Sequence, residues 1–300
     1  MKSAKYIWMD GQFVKWQEAK IHVLTHSLHY GGAVYEGIRF YNTPEGPAIF
    51  RLSEHIKRLF YSASAIELEI PYSQKELTEV AVELLRKNKI DAGYIRPIAF
   101  YGYGKMGLNP VGAEVNVSMA AFPFGSYLGH DSIKVKTSKF IRIHPDSTVA
   151  DAKITGHYVN SIVASQEIKR AGYQEALFLD YKGNVAEGPG ENIFLVKNGV
   201  LYTPPIGAII AGITRDSIIA VARDHGLKTV EEHFKPSDVY EADEAFFTGT
   251  AAEITPIGSL DGKKIGDGKV GSITDQLKQD YLKAVHGKIP KYKKWLTYIN

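Results

Sequence analysis

Two α/β domains, each with mixed, mainly antiparallel sheets and packed helices, are the fold this sequence predicts, and three observations carry the prediction. The chain has 300 residues, more than one domain of about 100–200 residues normally holds. Asp10-Gly11 and Asn198-Gly199 each stand between strand-like runs, the pattern of a two-residue hairpin whose turn needs φ > 0. Such hairpins dominate over strand–helix–strand units, which argues against a doubly wound parallel sheet.

The elements follow in order. "YIWMDGQFVKW" opens the chain as two paired strands about Asp10-Gly11. "GIRFYN" and "AIFRL" read as further strands, and Ser53 is placed to cap a helix through "EHIKRLFYSASAIEL". Ser73 with Glu76 three residues on forms a capping box, behind which Leu77, Val80, Ala81, Leu84 and Leu85 make one apolar helix face. "AGYIRPIAFYG" and "EVNVSMAAFPF" are the next strands. The texture then changes, because "FPFGSYLGHD" holds aromatics, a proline and glycines with no period. The expected division is therefore a domain over 1–122, a linker over 123–133 and a larger domain over 134–300. Beyond the linker, "SIKVKTSKF" resumes strand character, "HYVNSIVASQEIKRAG" is helical, and "QEALFLD" returns to strand. "ITRDSIIAVARDHG" is a helix ended by Gly226, "EAFFTGTAAEITPI" a strand with a small-residue turn, and Ile273, Leu277, Tyr281 and Ala284 give the last helix its inward face.

Bulk properties exclude several function classes. Hydrophobic residues are 44% and charged residues 23% of the chain, which places it with ordered globular proteins. A formal charge of only +3, with scattered basic residues, gives none of the stripe that nucleic-acid binding needs. With no cysteine there is no disulfide, thiolate metal site or thiol nucleophile. No apolar run approaches the ~20 residues of a spanning helix, and the N-terminal residues lack a signal-peptide block, so a cytoplasmic protein acting on small molecules is expected.

Several motifs compete for the chemistry. "GYGKMG" fits G-x-G-x-x-G but runs into "LNPVG", a turn rather than the helix N-terminus that dinucleotide binding requires. His22, His26 and His29 could share a helical face, but no acid accompanies them, so structural histidines are expected over a metal site. No serine-nucleophile elbow is present. Lys153, between Ala152 and Ile154 at a junction of extended chain and helix, reads as either a solvated lysine or, in an apolar niche, an amine able to form an imine. Ile213 and Thr214 at a helix N-terminus, and Thr248, Thr250 and Ala251 in a tight turn, are two candidate anion cradles or ordinary caps. "NVAEGPGENIF" sets Glu187 and Glu191 among glycines and a proline, a shaped corner rather than a solvated face.

Taken together, "HSLHYGGAVYEGIRFY", "SEHIKRL", "YIRPIAFYGYGKMGLNP", "AKITGHYVNS", "GYQEALFLDYKGNVAEGPGENIF", "GITRDSII" and "FTGTAAEITPI" resemble the branched-chain amino acid aminotransferases of the pyridoxal-phosphate fold type IV group. The resemblance runs over essentially the whole chain. It implies that Lys153 carries pyridoxal 5'-phosphate as a Schiff base and shuttles the α-proton, and that Glu187 pairs with the pyridine nitrogen. Glu191 is then structural. It further implies that Arg58, Ile213, Thr214 and Thr250 bind the phosphate and Tyr158 the phenolic oxygen. Tyr35, Phe124, Tyr127 and Tyr158 become walls of the substrate pocket. Tyr94, Thr250 and Ala251 meet the α-carboxylate and Arg96 the distal one, while Tyr30 and Leu108 come from a partner subunit of a homodimer or larger homo-oligomer. The implied reaction moves the amino group of leucine, isoleucine or valine to 2-oxoglutarate, with the cofactor between the domains. A D-amino acid or R-amine transaminase, or an aminodeoxychorismate-lyase-like enzyme, shares the wider pattern, and a non-catalytic metabolite-binding protein is the rival from another class. At "AKITGHY" the sequence departs from the family pattern, Ile154-Thr155 standing where smaller residues are usual.

Overall fold

A computed structural model describes residues 4–125, 128–129 and 132–299. Its elements are β1 (Tyr6–Met9), β2 (Gln12–Lys15), α1 (His26–Tyr30), β3 (Ala33–Tyr35), β4 (Ile38–Thr43), β5 (Gly46–Phe50), α2 (Leu52–Ser64), α3 (Gln74–Asn88), β6 (Gly93–Tyr101) and β7 (Val115–Phe122). They continue with β8 (Ile133–Thr137), α4 (Tyr158–Arg170), β9 (Glu175–Leu177), β10 (Asn192–Lys197), β11 (Val200–Thr203), α5 (Ile213–Asp224), β12 (Thr229–Glu231) and α6 (Pro236–Tyr240). Last come β13 (Glu244–Gly249), β14 (Glu253–Leu260), β15 (Lys263–Lys264), α7 (Ser272–Val285) and β16 (Leu296–Tyr298).

Two compact units result, one holding the chain up to Gly125 with Ala152–His157 and the residues from Lys283 on, the other holding the rest. This corrects the expected division, which gave everything over 134–300 to the second domain. Residues 152–157 belong to the first unit because Ile154 bridges Val34, and the C-terminal residues because β16 pairs with β5. Neither long-range pairing leaves a local trace in the sequence.

In the first unit the strands run β16-β5-β4-β6-β7-β1-β2, with β3 also on β6, and every pairing is antiparallel. The β1–β2 turn has Asp10 at φ 46° and Gly11 at φ 88°, the primed turn that the Asp-Gly pair favours. Helices α2 and α3 cover the sheet with Ile56, Leu59, Leu77, Leu84 and Leu85, packed with Ile38, Phe40, Ile95, Val117 and Met119 in one core. Each such side chain contributes roughly 1.5–3 kcal/mol through burial. Helix α3 has the expected capping box, the Ser73 hydroxyl accepting from Glu76 N and the Glu76 carboxylate from Ser73 N. Helix α2 differs from expectation: it starts at Leu52 behind Arg51, whose φ of 51° and ψ of 41° are left-handed, with no side-chain cap. Ser53 is thus inside the helix. The entry is held instead by Arg51, which donates its backbone N–H to Trp295 O at 2.6 Å and its Nε to Glu54 at 2.7 Å.

The second unit has the order β12-β11-β10-β13-β14-β8-β9, with β15 on β14. It is mixed, because β11–β12, β14–β8 and β8–β9 are parallel and the other pairs antiparallel. Asn198 and Gly199 turn β10 into β11 with φ of 51° and 72°. Phe194 and Phe246, neighbours on β10 and β13, stack with centroids 5.2 Å apart. Among the described residues no helix is long and apolar enough to cross a membrane.

Candidate active site

The candidate residues fall into two clusters, one in each unit. In the first, Ala152 and Ile154 are buried in the core beside Ile38 and Leu59, which anchors the lysine between them. The Lys153 amide donates to Ser62 Oγ at 2.9 Å, and its carbonyl accepts from Tyr35 N at 3.3 Å. The Lys153 Nζ lies 4.7 Å from the centre of the Tyr35 ring. Arg96 sits over the same ring at 4.8 Å and over Tyr94 at 5.3 Å, so its cation is held by aromatic faces. Positions 94 and 96 point to one side of β6, as the strand period requires. Tyr94 packs on Phe124 with centroids 5.0 Å apart. Its hydroxyl occupies the place where a β-carbon of residue 37 would stand, so Gly37 is what admits the ring. Lys153, Tyr35, Tyr94, Arg96 and Phe124 are therefore linked in one cluster.

Arg58 is tied to a residue that sequence reasoning passed over. Its Nε donates to Glu36 Oε1 at 2.6 Å and its Nη2 to Glu36 Oε2 at 2.9 Å, a two-pronged pair of the stronger kind. Glu36 is 0% exposed, and His55 Nδ1 is 2.7 Å from its Oε2. Burial by itself would raise the Glu36 pKa, but the Arg58 charge and the hydrogen bonds from His55 and Arg58 hold it far below the usual carboxylate range. Burial pushes the His55 pKa down, Glu36 opposes it, and the charges of Arg58 and Lys153 add to the lowering, so the balance lies below the ordinary value. With Glu36 ionised and His55 neutral, Nδ1 carries the proton and donates it. The signal for this group was present in the spacing of His55 and Arg58, which share a face of α2. Glu36 itself offered only its place between two strand runs.

The second cluster surrounds Glu187. Arg142 Nε donates to Glu187 Oε1 at 2.6 Å and its Nη2 to Ala150 O at 2.9 Å. Asn192 Nδ2 donates to Glu187 Oε2 at 3.1 Å and to Ile210 O at 2.9 Å, and Ile210 N approaches Glu187 Oε2 at 3.2 Å. Arg142, a single polar residue in the run Phe140-Ile141-Arg142-Ile143, and Asn192, directly after Glu191, carry no sequence signal for this role. Glu191 closes its own corner: its Oε2 accepts from Gly190 N at 3.0 Å and its carbonyl from Gly188 N at 2.7 Å. The glycine- and proline-rich stretch thus places one carboxylate against an arginine and an amide and uses the other to hold the bend.

Ile213 and Thr214 are the first residues of α5, behind Gly212, which supplies no side-chain cap. A β-carbon at 212 would strike the Asn192 side chain, so the helix entry and the Glu187 cluster pack directly together. Thr250 and Ala251 form the turn between β13 and β14. Thr248 corrects the expected turn: it lies in β13, buried, and among the described residues its Oγ1 has no hydrogen-bond partner. Tyr158 opens α4. Tyr127 lies outside the described residues. Tyr30 and Leu108 are exposed, Leu108 at 85%.

The three histidines serve the backbone. His26 Nε2 is 2.7 Å from Gly107 O, His29 Nε2 is 3.0 Å from Val23 O, and His22 Nδ1 accepts from Leu24 N at 3.1 Å. Gly102–Gly107 leads into turns rather than a helix.

Two α/β units, one carrying a lysine against the Tyr35 ring and the other a buried glutamate held by an arginine beside a helix N-terminus, define the class. The family model for class IV aminotransferases matches residues 33–260, and the chain belongs to that family. It is 48% identical to a branched-chain-amino-acid aminotransferase of Pseudomonas aeruginosa strain PAO1, over 98% of this chain and 97% of that one. It is also similar to the crystal structure of a T.th. branched-chain amino acid aminotransferase with pyridoxamine 5'-phosphate, with a TM-score of 0.97, 44% identity and full coverage of both chains. A second T.th. structure, complexed with N-(5'-phosphopyridoxyl)-L-glutamate, matches with a TM-score of 0.95, 44% identity and 99% coverage of both chains.

Proposed function

We propose that this protein is a pyridoxal-phosphate-dependent transaminase that moves the amino group of L-leucine, L-isoleucine or L-valine to 2-oxoglutarate. The observation that carries the reading is the Lys153 cluster, where a primary amine is fixed by its backbone against the Tyr35 ring, with Arg96 on the same ring and Tyr94 and Phe124 linked beyond it. The residues fit the cofactor on three counts. Lys153 offers the amine, and Glu187 offers a buried carboxylate for a ring N–H. The α5 N-terminus, with no side chain at its cap, offers backbone donors for a phosphate. The likeness to enzymes solved with pyridoxamine phosphate and with a phosphopyridoxyl-glutamate adduct supports the cofactor and the glutamate half-reaction.

When bound, pyridoxal phosphate supplies a ring that absorbs the electrons released at the substrate's Cα. The protein's own residues do the rest. Lys153 Nζ takes the Cα proton and returns it, as general base and then general acid. Glu187, kept in place by Arg142 and Asn192, holds a proton on the ring nitrogen. Arg58, Ile213, Thr214 and Thr250 bind the phosphate, and Tyr158 donates to the phenolic oxygen. Tyr35, Phe124, Tyr127 and Tyr158 bind apolar side chains, Tyr94 with the Thr250-Ala251 turn orients the α-carboxylate, and Arg96 takes the distal carboxylate of the second substrate. Aromatic walls with a few fixed polar groups suit a pocket that must accept both. The exposed apolar residues Val23, Leu28, Tyr30, Leu108 and Val111 support a homo-oligomer in which Tyr30 and Leu108 reach a partner's site. The enzyme works in the cytoplasm.

The test is a donor panel with 2-oxoglutarate as acceptor, read as glutamate formed. L-leucine, L-isoleucine and L-valine are expected to turn over and D-alanine and R-amines to fail. Turnover of D-alanine without L-leucine contradicts the substrate assignment.

A further inference from the structure

We infer that Ser62 is a positioning residue for Lys153, and that helix α2 serves as a ruler setting the lysine against the phosphate-binding arginine. This rests on the reading that Lys153 and Arg58 hold pyridoxal phosphate. Serine is a weak choice inside a helix, because its hydroxyl competes for backbone groups. Ser62 is nonetheless within α2 and 0% exposed, and its hydroxyl accepts the Lys153 amide at 2.9 Å, from a residue 91 positions away in sequence. A buried hydroxyl is kept where it has a partner to satisfy, and that partner is the backbone of the reactive lysine.

Residues 55, 58, 59 and 62 lie on one face of α2. His55 and Arg58 grip the Glu36 carboxylate, Leu59 enters the core, and Ser62 takes the lysine. Arg58 and Ser62 are four residues apart, about 6 Å along the axis. The far side of the lysine segment is tied as well. The Lys153 carbonyl accepts from Tyr35 N, Ile154 bridges Val34, and Thr155 Oγ1 donates to Gly31 O at 2.8 Å. That oxygen also accepts from Gly156 N at 3.2 Å and Ala33 N at 3.0 Å, so Thr155 is one of three donors there. On the amide side the tie to α2 is the Ser62 hydroxyl, and removing it loosens the lysine from the helix that carries Arg58. Bond formation between Lys153 Nζ and the cofactor aldehyde, with loss of water, needs the amine at a set distance from a phosphate fixed by Arg58. The hydroxyl therefore contributes to that condensation and not to phosphate binding.

The experiment compares two probes on wild type and Ser62→Ala: pyridoxal phosphate, and 4'-deoxypyridoxine phosphate, which has a methyl group in place of the aldehyde and cannot bond to lysine. Ser62→Ala is expected to weaken pyridoxal phosphate about tenfold, the effect of one buried hydrogen bond, and to leave the analogue's affinity unchanged. Equal loss for both probes, or no loss for either, overturns the inference, since a merely structural serine would not separate them. If wild type binds neither probe, the cofactor reading itself falls, and this inference with it. Amide exchange on the wild-type protein gives a second test that needs no variant. The Lys153 N–H is expected to be protected with and without cofactor, and exchange at the rate of an open amide contradicts its bond to Ser62.

Discussion

Glu36 and Glu187 are both buried carboxylates that accept an arginine Nε at 2.6 Å, yet their surroundings differ. Glu36 has a dense donor set: both prongs of Arg58, the His55 ring and its neighbour Gly37 N at 3.2 Å all donate to it. It works by holding other side chains still. Glu187 takes the Nε of Arg142, an asparagine amide and long contacts from Ile210 N at 3.2 and 3.4 Å, and it stands beside a helix entry with no side-chain cap. Burial and a short arginine contact are thus common to both carboxylates, and the kind and strength of the remaining donors separate them.

Substitutions can break this comparison, and the largest effect belongs to the lysine. Lys153→Ala removes the proposed proton carrier and is expected to cut transamination by at least the roughly 10²–10⁴-fold that a general base supplies, measured as glutamate formed under saturating leucine. Glu187→Gln comes next. It should lower kcat by about 10²–10³, the scale of a lost electrostatic stabiliser, with a smaller change in KM for leucine.

Glu36→Gln should reverse that balance. Stripping the carboxylate charge leaves Arg58 facing a buried amide, a change worth about 3–5 kcal/mol of stability. Its melting temperature should fall well below that of wild type, while any folded fraction retains leucine turnover when cofactor is in excess.

The pH response of His55 sharpens the contrast. Its folded pKa lies below the ordinary 6.5, so the unfolded chain binds a proton that the native state refuses. The stability it confers is present above about 6.5 and is lost as pH falls through that value toward the lower native one. Glu36, depressed by Arg58 and His55, likewise contributes at neutral pH and loses its share progressively as pH falls below the ordinary 4.5. Wild-type melting temperature should therefore drop between pH 7 and pH 5 more steeply than that of His55→Gln. Equal slopes would detach the histidine from this account. The smallest effect is expected at the exposed capping box of α3, where Ser73→Ala should cost about 1 kcal/mol, roughly 2 °C in melting temperature for a chain of this size, with turnover unchanged.

Local chemistry explains what could be read from the sequence. Asp10-Gly11, Asn198-Gly199 and the Ser73–Glu76 box are short-range signals with one stereochemical solution each, and the structure contains all three. The α2 start was misplaced at Ser53 because its entry depends on Trp295, a residue far along the chain. The same cause hid the first unit's claim on residues 152–157 and on β16. Of the residues proposed for the site, Lys153, Arg58 and Glu187 stand in motifs of their own, whereas Glu36, His55, Ser62 and Arg142 act through partners 19 to 91 positions away. A polar residue inside an apolar run gives no sign of which distant group it will meet.

The most direct test of the central claim is to reduce the cofactor-loaded protein with borohydride, digest it and locate the pyridoxyl group by mass spectrometry. The account predicts the group on Lys153 alone, and none after prior conversion of the cofactor to its amine form with L-leucine. A pyridoxyl group on any of the other lysines, or on no peptide at all, would contradict it.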